Sequence, residues 1–231
     1  MGQAGPLRWR DGSGWLVLLG GGDPLAGETE LVDVAALDRA DPDGLLVILP
    51  AAGLSPDLAQ ELVAYFADLG LPHGRVLPLF DTAAGPAVES AGISLLSQAG
   101  LIYLADGDPR RLVTAVSQPL LQALGDAYEM GAVVLGAGAG AAALGTWLDF
   151  HQPGWGWVIN TVVTPHFTGT QYATTLQALM AAHPALFGLG LPDGVALALG
   201  PHDEVETWGS GRPTILLPRA MGAALGRKED R

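Results

Sequence analysis

The sequence of 231 residues contains no cysteine, and this absence removes several kinds of chemistry at once. It excludes disulfides, thiolate metal sites and cysteine nucleophiles. Basic residues are also scarce, since 11 lysines and arginines stand against 24 acidic residues and give a net charge of −13. That charge argues against nucleic acid and anionic membranes as partners. Apolar runs stay well below the ~20 residues of a membrane helix, and no targeting segment is recognisable, so we expect a cytoplasmic protein.

Apolar residues and glycine are abundant. Apolar side chains make up 49% of the chain and glycine contributes 33 residues, so a large core can form and many tight turns are available. The length fits one α/β domain over residues 1–231, with a core of about residues 14–218. Short apolar runs predict buried parallel strands at residues 15–19, 45–49, 75–79, 101–104 and 132–135.

Segments with helical periodicity alternate with these strands. The clearest covers residues 56–69, with Ser55 as the N-cap and Gly70 as the stop. Others cover residues 86–96 and 110–130, the latter as one long helix or one broken at Pro119. Alternating strands and helices predict a doubly wound α/β sheet, whose site lies at the carboxyl ends of the strands.

The last third of the chain has a different pattern. Short strands are predicted at residues 158–163, 195–199, 204–207 and 214–217. We expect the last three to form an antiparallel extension, with Gly209-Ser210-Gly211 as a hairpin turn.

The most informative segment is Gly136-Ala137-Gly138-Ala139-Gly140-Ala141, which follows a predicted strand and opens a helix of small residues. Glycines in such a turn let a backbone approach a pyrophosphate in dinucleotide-binding proteins. They also flank the nucleophile in a strained strand-to-helix elbow. The dinucleotide reading lacks the acidic residue expected about 20 residues further on.

A series of short motifs resembles the dipeptidase E and cyanophycinase family of serine peptidases. Its elbow reads Gly-x-Ser-Ala-Gly-Ala, which residues 136–141 match except that Gly138 stands at the serine position. Further similarities run in the family's order from about residue 15 to residue 218, namely Gly20-Gly21-Gly22-Asp23-Pro24, Leu49-Pro50-Ala51-Ala52, Pro165-His166-Phe167 and Gly190-Leu191-Pro192-Asp193-Gly194.

The resemblance implies both a fold and a set of site residues. The fold is a three-layer α/β/α sandwich of the class I glutamine amidotransferase-like, flavodoxin-like type, with a mostly parallel central sheet and a small antiparallel extension. His166 corresponds to the catalytic histidine and Gly138 to the nucleophile position. Asp149 is the nearest candidate for the triad acid, and Gly107, Asp108 and Ala139 line the oxyanion hole and cleft.

Two departures from the family bear on activity. The loop that helps to form the oxyanion hole usually reads Gly-Gly-Gly-Asn or Gly-Gly-Asp-Gln, whereas here it is Ala105-Asp106-Gly107-Asp108-Pro109. Two aspartates would repel a developing oxyanion. The arginines that commonly bind a substrate carboxylate are missing from residues 168–179.

These observations leave three functional hypotheses. The first is a non-catalytic relative of these peptidases that retains the cleft. The second is a peptide or amide hydrolase with a reassigned nucleophile, or with a water activated by His166. The third is a nucleotide-binding protein that uses the turn at residues 136–141.

We expect no cofactor and no metal, because no ligand cluster has metal-binding spacing. A small peptide-like or acidic ligand is the expected partner, and a homo-oligomer is compatible with the sequence.

Overall fold

The computed structural model describes residues 2–4, 7–50, 52–79, 85–149 and 152–217. These residues form thirteen strands: β1 Gly2–Ala4, β2 Leu7–Trp9, β3 Leu16–Leu19, β4 Leu45–Leu49, β5 Gly74–Val76, β6 Ala99–Leu104, β7 Val133–Ala137, β8 Val158–Ile159, β9 Thr161–Thr164, β10 Phe187–Gly190, β11 Val195–Leu199, β12 Val205–Gly209 and β13 Thr214–Leu216. They also form seven α-helices: α1 Glu30–Leu37, α2 Pro56–Asp68, α3 Pro86–Leu96, α4 Pro109–Ala115, α5 Gln118–Glu129, α6 Ala139–Leu144 and α7 Thr170–Ala182. In this described part of the chain, every helix is too short or too polar to cross a membrane.

Seven strands form the central sheet, in the order β12-β11-β3-β7-β6-β4-β5. The five neighbouring strands β3, β7, β6, β4 and β5 are parallel, as the sequence predicts. At the other edge β11 runs antiparallel to β3, and β12 runs antiparallel to β11. Two small sheets, β1-β2-β8 and β13-β10-β9, lie outside it. The predicted α/β class with a mostly parallel sheet is therefore confirmed.

Side chains of the central strands alternate between two buried clusters. In β3, Leu16 and Leu18 belong to the cluster that includes Leu120 of α5. Val17 and Leu19 belong to the cluster on the opposite face, together with residues of α1 and α2. A strand buried on both faces must be apolar throughout, and this is why these runs have no polar alternation. Helices on both faces give the three-layer arrangement.

One predicted helix is formed with its expected N-cap, and another is divided into two. In α2, the Ser55 hydroxyl accepts a hydrogen bond from the backbone N–H of Leu58 at 3.3 Å. The predicted segment at residues 110–130 is broken: α4 ends before Val116, which is extended, and Ser117 caps α5. Pro119 lies in the first turn of α5, where its missing N–H costs no helical hydrogen bond.

Three details of the sequence interpretation are wrong. The strand predicted at residues 75–79 is the shorter β5. The strand predicted at residues 158–163 is divided at Asn160, whose φ of 53° ends β8 before β9 begins. The turn at residues 209–211 does not close a hairpin, because β12 pairs with β11 of the central sheet and β13 pairs with β10 of another sheet.

The topology determines which loops meet. Strands β3, β7 and β6 are adjacent and parallel, so the loops that follow them emerge at the same edge of the sheet. The antiparallel strand β11 begins at that edge, since Ala196 pairs with Leu19 at the end of β3. The turn that precedes β11 is thereby placed beside the loops that follow β3, β6 and β7.

Candidate active site

The turn after β7 has the geometry that the sequence predicts for a nucleophile elbow. Gly138 connects β7 directly to α6, with φ of 48° and ψ of −105°. A non-glycine residue held in such a region costs about 1–3 kcal/mol. Neither Gly136 nor Gly140 has room for a Cβ, because the backbone of residues 140–141 faces the first and Leu104 faces the second. The turn is therefore tightly packed on both sides of Gly138, which is itself buried.

The space above Gly138 is filled by a side chain from another loop. A Cβ built on Gly138 would overlap the carboxylate of Asp106, far inside van der Waals contact. Asp106 follows β6, which lies next to β7 in the sheet. At the position that the resemblance assigns to the nucleophile, the chain thus has a glycine whose missing side chain leaves space for the Asp106 carboxylate.

The Asp106 carboxylate is bound by two backbone N–H groups. Oδ1 accepts hydrogen bonds from Gly107 N at 2.6 Å and from Ala139 N at 2.8 Å. Ala139 is the residue after the elbow position, and Gly107 belongs to the neighbouring loop. Two such donors converging on one oxygen are the arrangement of an oxyanion hole. Asp106 does more than repel an oxyanion, since its own oxygen occupies that place.

The other oxygen of Asp106 contacts the predicted histidine. His166 Nε2 lies 3.0 Å from Asp106 Oδ2, and His166 Nδ1 lies 2.7 Å from Asp193 Oδ1. The three side chains form a continuous Asp106–His166–Asp193 chain, partly open to solvent. The backbone orients the ring, because His166 has φ of 50° and its N–H donates to Gly20 O at 2.7 Å.

The pKa values of His166 and Asp106 both differ from the ordinary values of these side chains. The hydrogen bond to Asp106 is the main reason that the pKa of His166 rises to about 9, against the opposing effect of partial burial. Partial burial works to raise the pKa of Asp106, but hydrogen bonds from His166, Ala139 and Gly107 outweigh it and lower that pKa. At neutral pH the site therefore contains an imidazolium ion between two carboxylates.

Asp193 is the acid that sequence reasoning did not assign. It lies in the turn between β10 and β11, within the Gly-Leu-Pro-acid-Gly motif noted above. The turn is fixed against the loop after β3, since Gly194 N donates to Gly21 O at 2.9 Å. Gly21 has no room for a Cβ, which would overlap His166 and approach Asp193. Gly21 thus provides space for the histidine and its acid.

Asp149 and Asp108 have other partners in the structure. Asp149 pairs with Arg110, whose Nε lies 3.1 Å from Asp149 Oδ2, whereas the carboxylate at His166 Nδ1 is that of Asp193. Asp108 caps α4, with Oδ1 accepting from Arg110 N at 2.9 Å. In the described ranges, no group of three or more histidine and acidic side chains is arranged to hold a metal ion.

Comparison with known proteins relates the sequence and the fold to peptidases. The sequence model of peptidase family S51 matches residues 16–205. The cyanophycinases of Synechococcus elongatus and of Thermosynechococcus vestitus are each 24% identical over 223 residues, which covers 89% of this chain and 69% of theirs. The crystal structure of a peptidase from an acI-B1 Actinobacterium superposes with a TM-score of 0.73 at 23% identity, covering 90% of this chain and 93% of the other.

Proposed function

The chain belongs to peptidase family S51, and we propose that it is a member without serine-peptidase activity whose cleft binds a small peptide-like ligand. One observation carries the proposal. The Asp106 carboxylate takes both backbone donors of the oxyanion hole and the space above Gly138. The nucleophile is missing and its surroundings are filled, so two separate requirements of acyl transfer are absent.

The filled oxyanion hole matters as much as the missing serine. Glycine has no atom that could attack a carbonyl. Removing the nucleophile of a triad usually leaves a rate enhancement of about 10³–10⁴, which comes from the oxyanion hole and from binding. Here a substrate carbonyl cannot reach the N–H groups of Gly107 and Ala139 while Asp106 is bound to them. We therefore expect that residual activity to be lost as well.

The two other functional hypotheses are less well supported by this geometry. A hydrolase that uses His166 to activate water needs a neutral imidazole, whereas a pKa of about 9 keeps the ring protonated at neutral pH. A nucleotide at the turn of residues 136–141 needs free N–H groups. The N–H of Ala139 is already bound to Asp106, and that carboxylate would repel a phosphate.

The charge of the site narrows the class of ligand. One imidazolium between two carboxylates leaves a net charge of about −1 within a few ångströms. A cationic group, such as the free amino terminus of a peptide, is favoured over the acidic ligand that the sequence also allowed. A thermal-shift titration with dipeptides tests this preference: acetylation of the amino terminus should weaken binding, and equal binding would contradict it.

Four proteins test the loss of peptidase activity: wild type, Gly138→Ser, Asp106→Gly and the double variant. The substrates are 4-nitrophenyl acetate and an acidic dipeptide. Wild type and both single variants should show only background hydrolysis, because each still lacks the serine or still has the blocking carboxylate. The double variant should gain esterase activity, and adding His166→Ala to it should remove the gain.

Two results would overturn the proposal. Dipeptide hydrolysis by the wild type that disappears in His166→Ala would show an active peptidase. Equal activity of Gly138→Ser and the double variant would show that Asp106 does not block the site.

A further inference from the structure

The carboxyl group of Asp106 occupies the oxyanion hole that a substrate carbonyl would normally enter. Oδ1 is bound by two N–H groups, and within the described ranges of the chain the partner of Oδ2 is His166. The Asp106 side chain is 35% exposed, so the carboxylate is accessible from solvent. The Cγ atom of Asp106 is thus the one carbonyl carbon that the donors and the histidine already surround.

We propose that Asp106 is a carboxylate nucleophile that attacks an alkyl carbon bearing a leaving group that departs as a stable anion, such as a halide. The product is an ester on Asp106, which the same site then hydrolyses. The net reaction converts the alkyl compound and water into an alcohol, a proton and the leaving anion. This activity goes beyond the binding role proposed above and does not depend on it.

The first step is a displacement at carbon. A lone pair of Oδ2 forms the new C–O bond, the bond to the leaving group breaks, and the leaving group departs with the electron pair. Oδ1 remains bound to Gly107 N and Ala139 N, so it becomes the carbonyl oxygen of the ester. Asp106 loses its negative charge in this step.

That loss of charge prepares His166 for the second step. Asp106 is the main reason that the imidazolium is stabilised in the resting protein. Once Asp106 is an ester, the histidine can release its proton to solvent and become a base, while Asp193 still holds Nδ1 at 2.7 Å. Before esterification, His166 donates a hydrogen bond to the nucleophile, Asp106. After esterification, His166 acts as the general base.

Hydrolysis of the ester requires a base beside Cγ and N–H donors at Oδ1, and His166, Gly107 and Ala139 are already in those positions. Water attacks Cγ and gives a proton to His166 Nε2, and the negative charge develops on Oδ1, within the two N–H groups. The bond between Cγ and Oδ2 then breaks, and the departing alkoxide takes the proton from His166 as the alcohol. The new carboxylic acid contains one oxygen from water, and it returns its proton to His166.

An alkyl carbon suits this nucleophile better than a peptide carbonyl. Attack of a carboxylate on an amide would give a mixed anhydride, which is a much stronger acyl donor than the amide and returns to it. Displacement at an alkyl carbon with a good leaving group gives an ester, which is stable until water is activated. The oxyanion hole is also available to the ester carbonyl and closed to any other carbonyl while Asp106 remains bound to it.

Benzyl bromide is the probe, and the absence of cysteine removes the usual competing nucleophile. In His166→Gln the side-chain amide can still donate to Asp106 Oδ2 but cannot act as a base. Ester hydrolysis should slow by about 10²–10⁴-fold, so peptide mass spectrometry should find one benzyl group on Asp106. In oxygen-18 water, wild type should release bromide and incorporate the heavy oxygen into Asp106.

Two matched variants control the experiment. Asp106→Asn should give neither benzyl ester nor accelerated bromide release. Asp68→Asn removes an exposed carboxylate at the end of α2, and it should behave as wild type. Labelling that is spread over other carboxylates, is unchanged in Asp106→Asn, or is absent from Asp106 in His166→Gln would overturn the proposal. Bromide release by wild type without heavy oxygen in Asp106 would overturn it too.

Discussion

The pKa of His166 should fall when Asp106 is replaced by asparagine. The resting value of about 9 has the hydrogen bond to Asp106 as its largest cause, followed by the opposing effect of burial and then by Asp193. Asparagine preserves the shape of the side chain but has no charge. The titration midpoint of His166 in Asp106→Asn should therefore move down toward the ordinary value of about 6.5. Asp193→Asn should lower it less.

The same shift contributes to folding stability with a definite pH dependence. Because the pKa is higher in the folded state, the contribution is fully present below the unfolded-state pKa of about 6.5 and is lost as the pH rises through about 9. A difference of about 2.5 units corresponds to about 3 kcal/mol without screening. His166 is 44% exposed, so screening by solvent reduces the contribution to about 1 kcal/mol.

Two measurements test this prediction. NMR titration of the imidazole resonances, assigned with His166→Gln, gives the midpoints in wild type, Asp106→Asn and Asp193→Asn. Urea unfolding at pH 6 and pH 10 gives the stability change, which should be smaller in Asp106→Asn than in wild type. An unchanged His166 midpoint in Asp106→Asn would refute the Asp106–His166 contact.

Three further substitutions have clear expected outcomes. Asp33 is fully buried and burial raises its pKa to about 6, so ionisation should reduce wild-type stability between pH 4 and pH 7, and Asp33→Asn should flatten that pH dependence of urea unfolding. Ser55→Ala should destabilise the protein by about 0.5–1 kcal/mol through loss of the α2 cap, with Glu61→Gln as an exposed control in the middle of α2, and no change in unfolding would contradict it. Gly138→Ala should lower the melting temperature more than Gly131→Ala, because Gly131 also has positive φ but open space around it; equal effects would show that Asp106 yields freely.

Much of the fold could be predicted because strands that are buried on both faces of the sheet are apolar along their whole length. The central strands are continuous apolar runs ended by Gly, Pro or Asp, and helices α2, α4 and α5 begin after Ser or Asp caps. The pairing partners of the late strands could not be predicted in the same way. Nothing local in residues 205–216 shows that β12 extends the central sheet while β13 pairs with β10.

The candidate site could be predicted only in part. Gly138 and His166 are each indicated by a short motif whose residues are contiguous in sequence. The central contact joins Asp106 to Ala139, 33 residues apart, and depends on the adjacency of β6 and β7. Asp193 was inside a recognised motif, but its role follows from the antiparallel register of β11 against β3. Asp149 was favoured by sequence position alone, and the fold pairs it with Arg110.

The most direct test of the central claim, that a carboxylate has taken the place of the serine, is labelling with a fluorophosphonate. Intact-protein mass spectrometry should find no adduct on wild type or Gly138→Ser, and one adduct on the Asp106→Gly, Gly138→Ser double variant. That result requires an open oxyanion hole and a histidine free to act as a base. Labelling of Gly138→Ser at the rate of the double variant would contradict the claim.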